Sequence, residues 1–399
     1  MDLDAILTAA IEAGASDVHF KVGSPPVLRV DGALVPLGGV RPLGDRELAE
    51  ILDRLTASVP AKRRQLDETG DLDIAYVAPG LPRFRVAGFR QRGATSFAFR
   101  VVPNVIPGFE ELHLPSGVRR LADEERGLVL VTGATGSGKS TTLAAIVDHI
   151  NRTRRLHVVT IEDPIEVLHP DRLSIVNQRE IGLDTVGFQH ALRHVLRQDP
   201  DVILIGELRD EETALVALQA AESGHLVLST LHTLDAAETI ARMVEFFPPA
   251  KHEQAAAALA GVLRGVVAQR LLPRLGGGRV PAVEVMVVNA RIAELIRERK
   301  LHEIPKAIAE GDFYDMQTFS DSLIDLVLRG LVDEETAARA ASQRHDFEIE
   351  LDRALKTRAG EQPGMGGDAA TVSRAHAAES TEPRSQPGTA SRGLRVIES

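Results

Sequence analysis

Residues 133–140 read Gly-Ala-Thr-Gly-Ser-Gly-Lys-Ser and fit the pattern G-x-x-x-x-G-K-[ST]. The apolar run Leu128-Val129-Leu130-Val131 precedes them and Thr141-Thr142-Leu143-Ala144-Ala145 follows, so the loop joins a buried strand to the start of a helix. Phosphate binding needs that context. Gly133, Gly136 and Gly138 let backbone N–H groups wrap an anion, with Ala134, Thr135, Ser137 and Thr141 completing the cradle at a positive helix terminus. Lys139 supplies charge to the outer phosphates, and the Ser140 hydroxyl can ligand Mg²⁺. The expected ligand is a nucleotide.

Phosphoryl transfer also needs carboxylates to hold the metal ion and orient water. Two buried runs end in acids: 157–161 leads to Glu162, Asp163 and Glu166, and 202–205 leads through Gly206 to Glu207. Four buried aliphatics followed by an acid assign Glu207 to the metal side, whereas Asp210 and Glu211 read as caps of the next helix. His225 and His232 stand at the two ends of one strand, over ~20 Å apart, too far to share a metal ion. Each is either an ordinary satisfied histidine or, being next to the Glu207 strand, a sensor of phosphate. Arg83, Arg85, Arg90, Arg92 and Arg100 cluster on two adjacent strand segments. A solvated sheet face accounts for Arg90 and Arg92; the alternative for the others is an arginine given to a neighbouring subunit's γ-phosphate.

The elements that must carry these residues fall into blocks. Residues 1–103 predict a small α+β domain, with a helix near 3–11, strands at 17–20, 27–30, 33–37, 73–77, 84–91 and 96–102, and a helix at 45–57. Pro103-Asn104 and Pro107-Gly108 mark a linker over 104–113. From 114 to 288, apolar strands alternate with helices at 139–150, 186–197, 210–222 and 235–244, the pattern of an α/β domain with a mainly parallel sheet. Residues 289–357 read as a helical extension, and 358–399, rich in Gly, Ser, Pro and Ala, as a disordered tail.

Composition narrows the class. The chain of 399 residues carries 46 basic and 57 acidic side chains, a net charge of −11 that argues against a polynucleotide-binding surface. The absence of cysteine excludes disulfide scaffolds, thiolate zinc sites and cysteine nucleophiles. No apolar run approaches the ~18 residues of a membrane span, and the N-terminus lacks a secretory leader pattern, so a cytoplasmic protein is expected. With no Trp, two Tyr and 12 Phe, the cores should be aliphatic.

These motifs resemble the secretion ATPase superfamily, and within it the retraction ATPases of type IV pili, over about residues 1–355. The resemblance rests on Ala15-Ser16-Asp17-Val18-His19-Phe20, on residues 25–32 (Pro-Pro-Val-Leu-Arg-Val-Asp-Gly), and on the 133–140 loop. It continues in 160–166, similar to the family's aspartate box, in 196–210 around Glu207, and in 224–232, similar to its histidine box. Residues 311–319 resemble the retraction branch, and the missing four-cysteine motif points the same way. One segment departs: the branch's Ala-Ile-Arg-Asn-Leu-Ile-Arg-Glu stands here as Arg-Ile-Ala-Glu-Leu-Ile-Arg-Glu at 291–298, without the early Arg and the Asn.

The resemblance implies an α/β fold: a PAS-like α+β N-terminal domain, a RecA-like P-loop ATPase core and a helical C-terminal extension, assembled as a homohexamer. It implies ATP and Mg²⁺ as cofactors, with Glu166 activating water, Glu162 nearby, Arg85 and Arg100 reaching nucleotide, and His225 and His232 coupling nucleotide state to domain movement. Implied partners are an inner-membrane pilus platform protein and a paralogous pilus ATPase, with no nucleic acid, at the inner face of the cytoplasmic membrane. The rival readings are the same motor driving pilus assembly or type II secretion, a RecA-like nucleic-acid motor, and a module that senses ATP without hydrolysing it. Few aromatics for base stacking count against the nucleic-acid motor.

Overall fold

The computed structural model describes residues 2–102 and 105–361, and the compact unit ends at Leu355. The apolar positions at the start form helix α1 (Leu3–Glu12), capped by the Asp2 carboxylate, which accepts from the Ala5 N–H at 3.1 Å. Strands β1 (Asp17–Phe20), β2 (Val27–Val30) and β3 (Ala33–Pro36) follow, then helices α2 (Asp45–Thr56) and α3 (Pro60–Thr69). Strands β4 (Asp71–Tyr76), β5 (Phe84–Gln91) and β6 (Ala94–Val101) complete an antiparallel sheet in the order β3-β2-β1-β6-β5-β4. Helix α3 was not expected, because it buries only Leu66 and so shows no apolar periodicity; Pro60 starts it and Gly70, at φ +84°, ends it. The core of this N-terminal domain is mostly aliphatic, as composition suggested, with an aromatic cluster at its centre. Phe99 meets the edges of Phe20, Tyr76, Phe84 and Phe97 at centroid distances of 5.1–6.4 Å, so the scarce aromatics are concentrated here.

The second domain runs α4 (Ser116–Ala122), β7 (Gly127–Thr132), α5 (Lys139–Thr153), β8 (His157–Glu162), β9 (Ile175–Glu180), α6 (Phe188–Val195) and β10 (Val202–Ile205). It continues with α7 (Glu211–Glu222), β11 (Leu226–Leu231), α8 (Ala236–Glu245), α9 (His252–Val262), β12 (Leu263–Pro273) and β13 (Arg279–Val287). The sheet order is β13-β12-β7-β11-β10-β8-β9, parallel except for the antiparallel pair β12 and β13. Every residue of β7, β10 and β11 is buried, which is why they carry the apolar runs 128–131, 202–205 and 226–228. Their register aligns Ile161 with Ile205, Ile205 with Ser229, and Leu231 with Thr132. The chain therefore leaves β7, β8, β10 and β11 along one sheet edge, where ligands of parallel α/β sheets bind.

Helices α10 (Ala290–Arg297), α11 (Ile304–Ala309), α12 (Phe319–Leu328), α13 (Glu334–Ala340) and α14 (Arg344–Glu361) form the helical extension. Phe319, Leu323 and Phe347 from it pack on Ala268, Leu272 and Val280 of the β12 and β13 hairpin. The expected linker is anchored at Phe109, which is buried against the ring of His149. Helix α14 runs past the expected start of the tail at 358; residues 362–399 of that tail, and Pro103-Asn104 of the expected break, lie outside the described residues.

Candidate nucleotide site

The loop after β7 takes backbone conformations only glycine adopts freely, with φ of +144° at Gly133 and +94° at Gly138. A Cβ on Gly133 would stand 2.4 Å from the Gln269 carbonyl oxygen, so β12 presses directly on the loop. The buried Gln269 amide donates from Nε2 to the Ser137 carbonyl at 2.8 Å and braces the turn from behind. Lys139 opens α5 and curls back, its Nζ donating to the Gly133 carbonyl at 2.8 Å and the Ala134 carbonyl at 3.1 Å. Burial lowers the Lys139 pKa, against the opposing pull of the Glu207 and Glu166 carboxylates.

A cavity of about 660 Å³ opens over this loop. Thr135, Gly136, Gly138, Lys139, Ser140 and Thr141 form its floor, while Gly133, Ala134 and Ser137 shape the loop beneath. Glu162, Glu166, Glu207 and His232 come from the ends of β8, β10 and β11. Glu207 accepts from Arg209 Nε at 2.9 Å and sits 3.0 Å from His232 Nε2. Glu162 is half-buried and accepts from Thr160 Oγ1 at 2.6 Å and Gln178 Nε2 at 3.1 Å. Burial raises its pKa despite these bonds and one from the Glu166 backbone, so Glu162 buttresses the acidic loop while the exposed Glu166 side chain faces the cavity.

Arg100 reaches the same cavity from β6 of the N-terminal domain, its Nε held at 2.8 Å by Asp17 Oδ1. Burial pushes the Asp17 pKa up, but hydrogen bonds from Arg100 and Ser16 outweigh it and keep the carboxyl below its ordinary range. Within the single chain, Arg100 is the N-terminal-domain arginine that lines the cavity. Arg85, opposite Arg100 in the strand register, does not line the cavity; it borders a cleft of about 80 Å³ beside Arg83 and Glu180. His225 is also placed elsewhere. It precedes β11, at the strand end away from the cavity, with Nδ1 2.9 Å from the Ala220 carbonyl oxygen and 3.0 Å from Ser223 Oγ.

Several lining residues carried no signal in the sequence. Arg279 and Leu271 come from the unexpected β12 and β13 hairpin, as does Gln269, which braces the loop without lining the cavity. Arg209 lay inside the stretch around Glu207 but had no assigned role. His169 lines the cavity too, and burial takes its pKa down to about 4, so it is neutral there.

Residues 1–277 match the family model described as type II/IV secretion system protein. The chain belongs to that family. This secretion ATPase is 43% identical over 348 residues to the type IV pilus retraction ATPase PilT of Pseudomonas aeruginosa, covering 87% of this chain and 100% of the relative. It is 38% identical over 350 residues to the type IV pilus ATPase PilU of the same organism, covering 88% and 91%. The crystal structure of the pilus retraction motor PilT with bound ADP superposes with a TM-score of 0.82 at 43% identity, covering 88% of this chain and 99% of that one. The α/β ATPase fold with its antiparallel N-terminal domain is the fold of that motor. The secretion ATPase is accordingly a P-loop ATPase; among the described residues, no helix is long and apolar enough to cross a membrane.

Proposed function

We propose that this ATPase is the motor of type IV pilus retraction, working as a homohexamer on an inner-membrane pilus platform protein at the cytoplasmic face. The observation that carries the proposal is the 43% identity to PilT along that relative's whole length. In this reading the 133–141 cradle and Lys139 hold the outer phosphates. Ser140 and Glu207 are oxygen donors on one cavity and suit Mg²⁺, which neutralises charge on the phosphates when bound. Glu166 accepts the proton of the attacking water, with Glu162 holding its loop. Arg100 stabilises the charge that builds on the transferred phosphoryl group. His232, bonded to Glu207, transmits occupancy to β11 and to the α8 segment behind it.

The test is deletion of the gene, scored for surface pili and twitching. Surplus pili with loss of twitching support retraction; bald cells overturn it in favour of assembly. The similarity to PilU favours one second reading, an accessory retraction ATPase acting beside a paralogue. Its mark is restored twitching when the paralogue alone is supplied in excess.

A further inference from the structure

Arg83 and Glu180 form an ion pair between the two sheets, 97 residues apart in sequence, with side chains only 11% and 7% exposed. Arg83 stands just before β5, and its carbonyl accepts the Val102 N–H at 2.8 Å, two residues beyond Arg100 on the neighbouring strand segment. Glu180 ends β9. The Oε2 atom that takes the Arg83 guanidinium also accepts the Ile165 N–H at 3.2 Å, and Ile165 is the buried neighbour of Glu166. One carboxylate oxygen therefore ties the segment before β5, which pairs with the end of the Arg100 strand, to the loop that carries Glu166. No other role for either residue follows from the nucleotide site, since neither lines its cavity.

We propose that Arg83 and Glu180 are a positioning pair for ATP hydrolysis, Arg83 holding Arg100 at working distance across the nucleotide from the Glu166 loop that Glu180 braces. The proposal rests on the reading of the cavity as the ATP site. A buried pair suits the task because a charge left alone there is costly, so the contact is either made or fully broken with the domain moved away. Misplacement of a reacting group by about 1 Å lowers rates about 100-fold, whereas the phosphate cradle lies elsewhere and binds as before.

Steady-state ATPase rates and affinity for a fluorescent ADP, measured on the full chain, test it. Arg83→Gln should lower kcat about 10- to 100-fold with ADP affinity within about threefold of wild type. Arg83→Lys should recover part of the rate. In an Arg100→Ala background, Arg83→Gln should cost less than about threefold more, because the pair acts through Arg100. Should Arg83→Gln fold poorly, Arg83→Met/Glu180→Gln removes both charges and keeps an acceptor for Ile165; it should melt near wild type and show the same kcat loss. Losses that multiply fully in the Arg100→Ala background, or affinity falling in step with kcat, would overturn the proposal. Lys139→Ala separates the two layers: wild-type turnover in that variant would sink the ATP-site reading itself, and the pair's role with it.

Discussion

Glu284 is a buried carboxyl that titrates near neutrality, and replacing it with glutamine should change how stability depends on pH. It sits on β13 opposite Ala268 of β12, 8% exposed, and accepts the Ala236 N–H at the start of α8 at 2.9 Å. Burial is the main reason its pKa rises from 4.5 to about 7, with the Asp235 charge adding and the Ala236 bond and Arg270 opposing. The unfolded chain releases this proton near pH 4.5, while the folded chain keeps it to about pH 7. The folded state thus binds more protons across that window, and stability falls as pH rises through it. The full gap corresponds to about 3 kcal/mol by pH 8. Glu284→Gln keeps an oxygen for Ala236 and removes the titration. Urea midpoints at pH 5 and pH 8 should show the variant gaining about 2–3 kcal/mol on wild type between the two. Parallel wild-type and variant profiles would refute the buried-carboxyl argument.

Other expected outcomes follow from the site. Arg100→Ala should lower the ATPase rate about 1000-fold while Arg85→Ala stays within about threefold of wild type, as read by phosphate release. Equal losses would mean that Arg85 serves the nucleotide as Arg100 does, and a wild-type rate in Arg100→Ala would remove Arg100 from the site. Gly133→Ala places a Cβ 2.4 Å from the Gln269 carbonyl at φ +144°, so it should lose nucleotide binding at least about 10-fold and about 1–3 kcal/mol of stability. Calorimetric titration with ADP checks the binding and a thermal melt the stability.

The site's strand ends were legible because β7, β10 and β11 are buried on both faces, which leaves apolar runs at 128–131, 202–205 and 226–228 ahead of the loop, Glu207 and His232. Edge elements were not. β9 exposes alternate residues and ends in Arg179 and Glu180, so its sequence resembles a loop. β12 mixes Gln269 and Arg270 into its apolar frame because it meets the phosphate loop on one side and the helical extension on the other. Gln269 and Arg279 were hidden with that hairpin. His225 lies away from the cavity, as its place at the opposite end of the strand from His232 required, because a parallel sheet presents only one end of each strand to the ligand. The pairing of Arg83 with Glu180 depends on how two domains dock, which no local spacing encodes.

In the proposed mechanism Glu166, facing Lys139 and Glu207 across one cavity, is the group through which ATP hydrolysis proceeds. Phosphate release by the Glu166→Gln variant, beside its ADP affinity, tests that most directly. Turnover reduced at least about 1000-fold with affinity within about threefold of wild type is the predicted result; wild-type turnover in Glu166→Gln would contradict it.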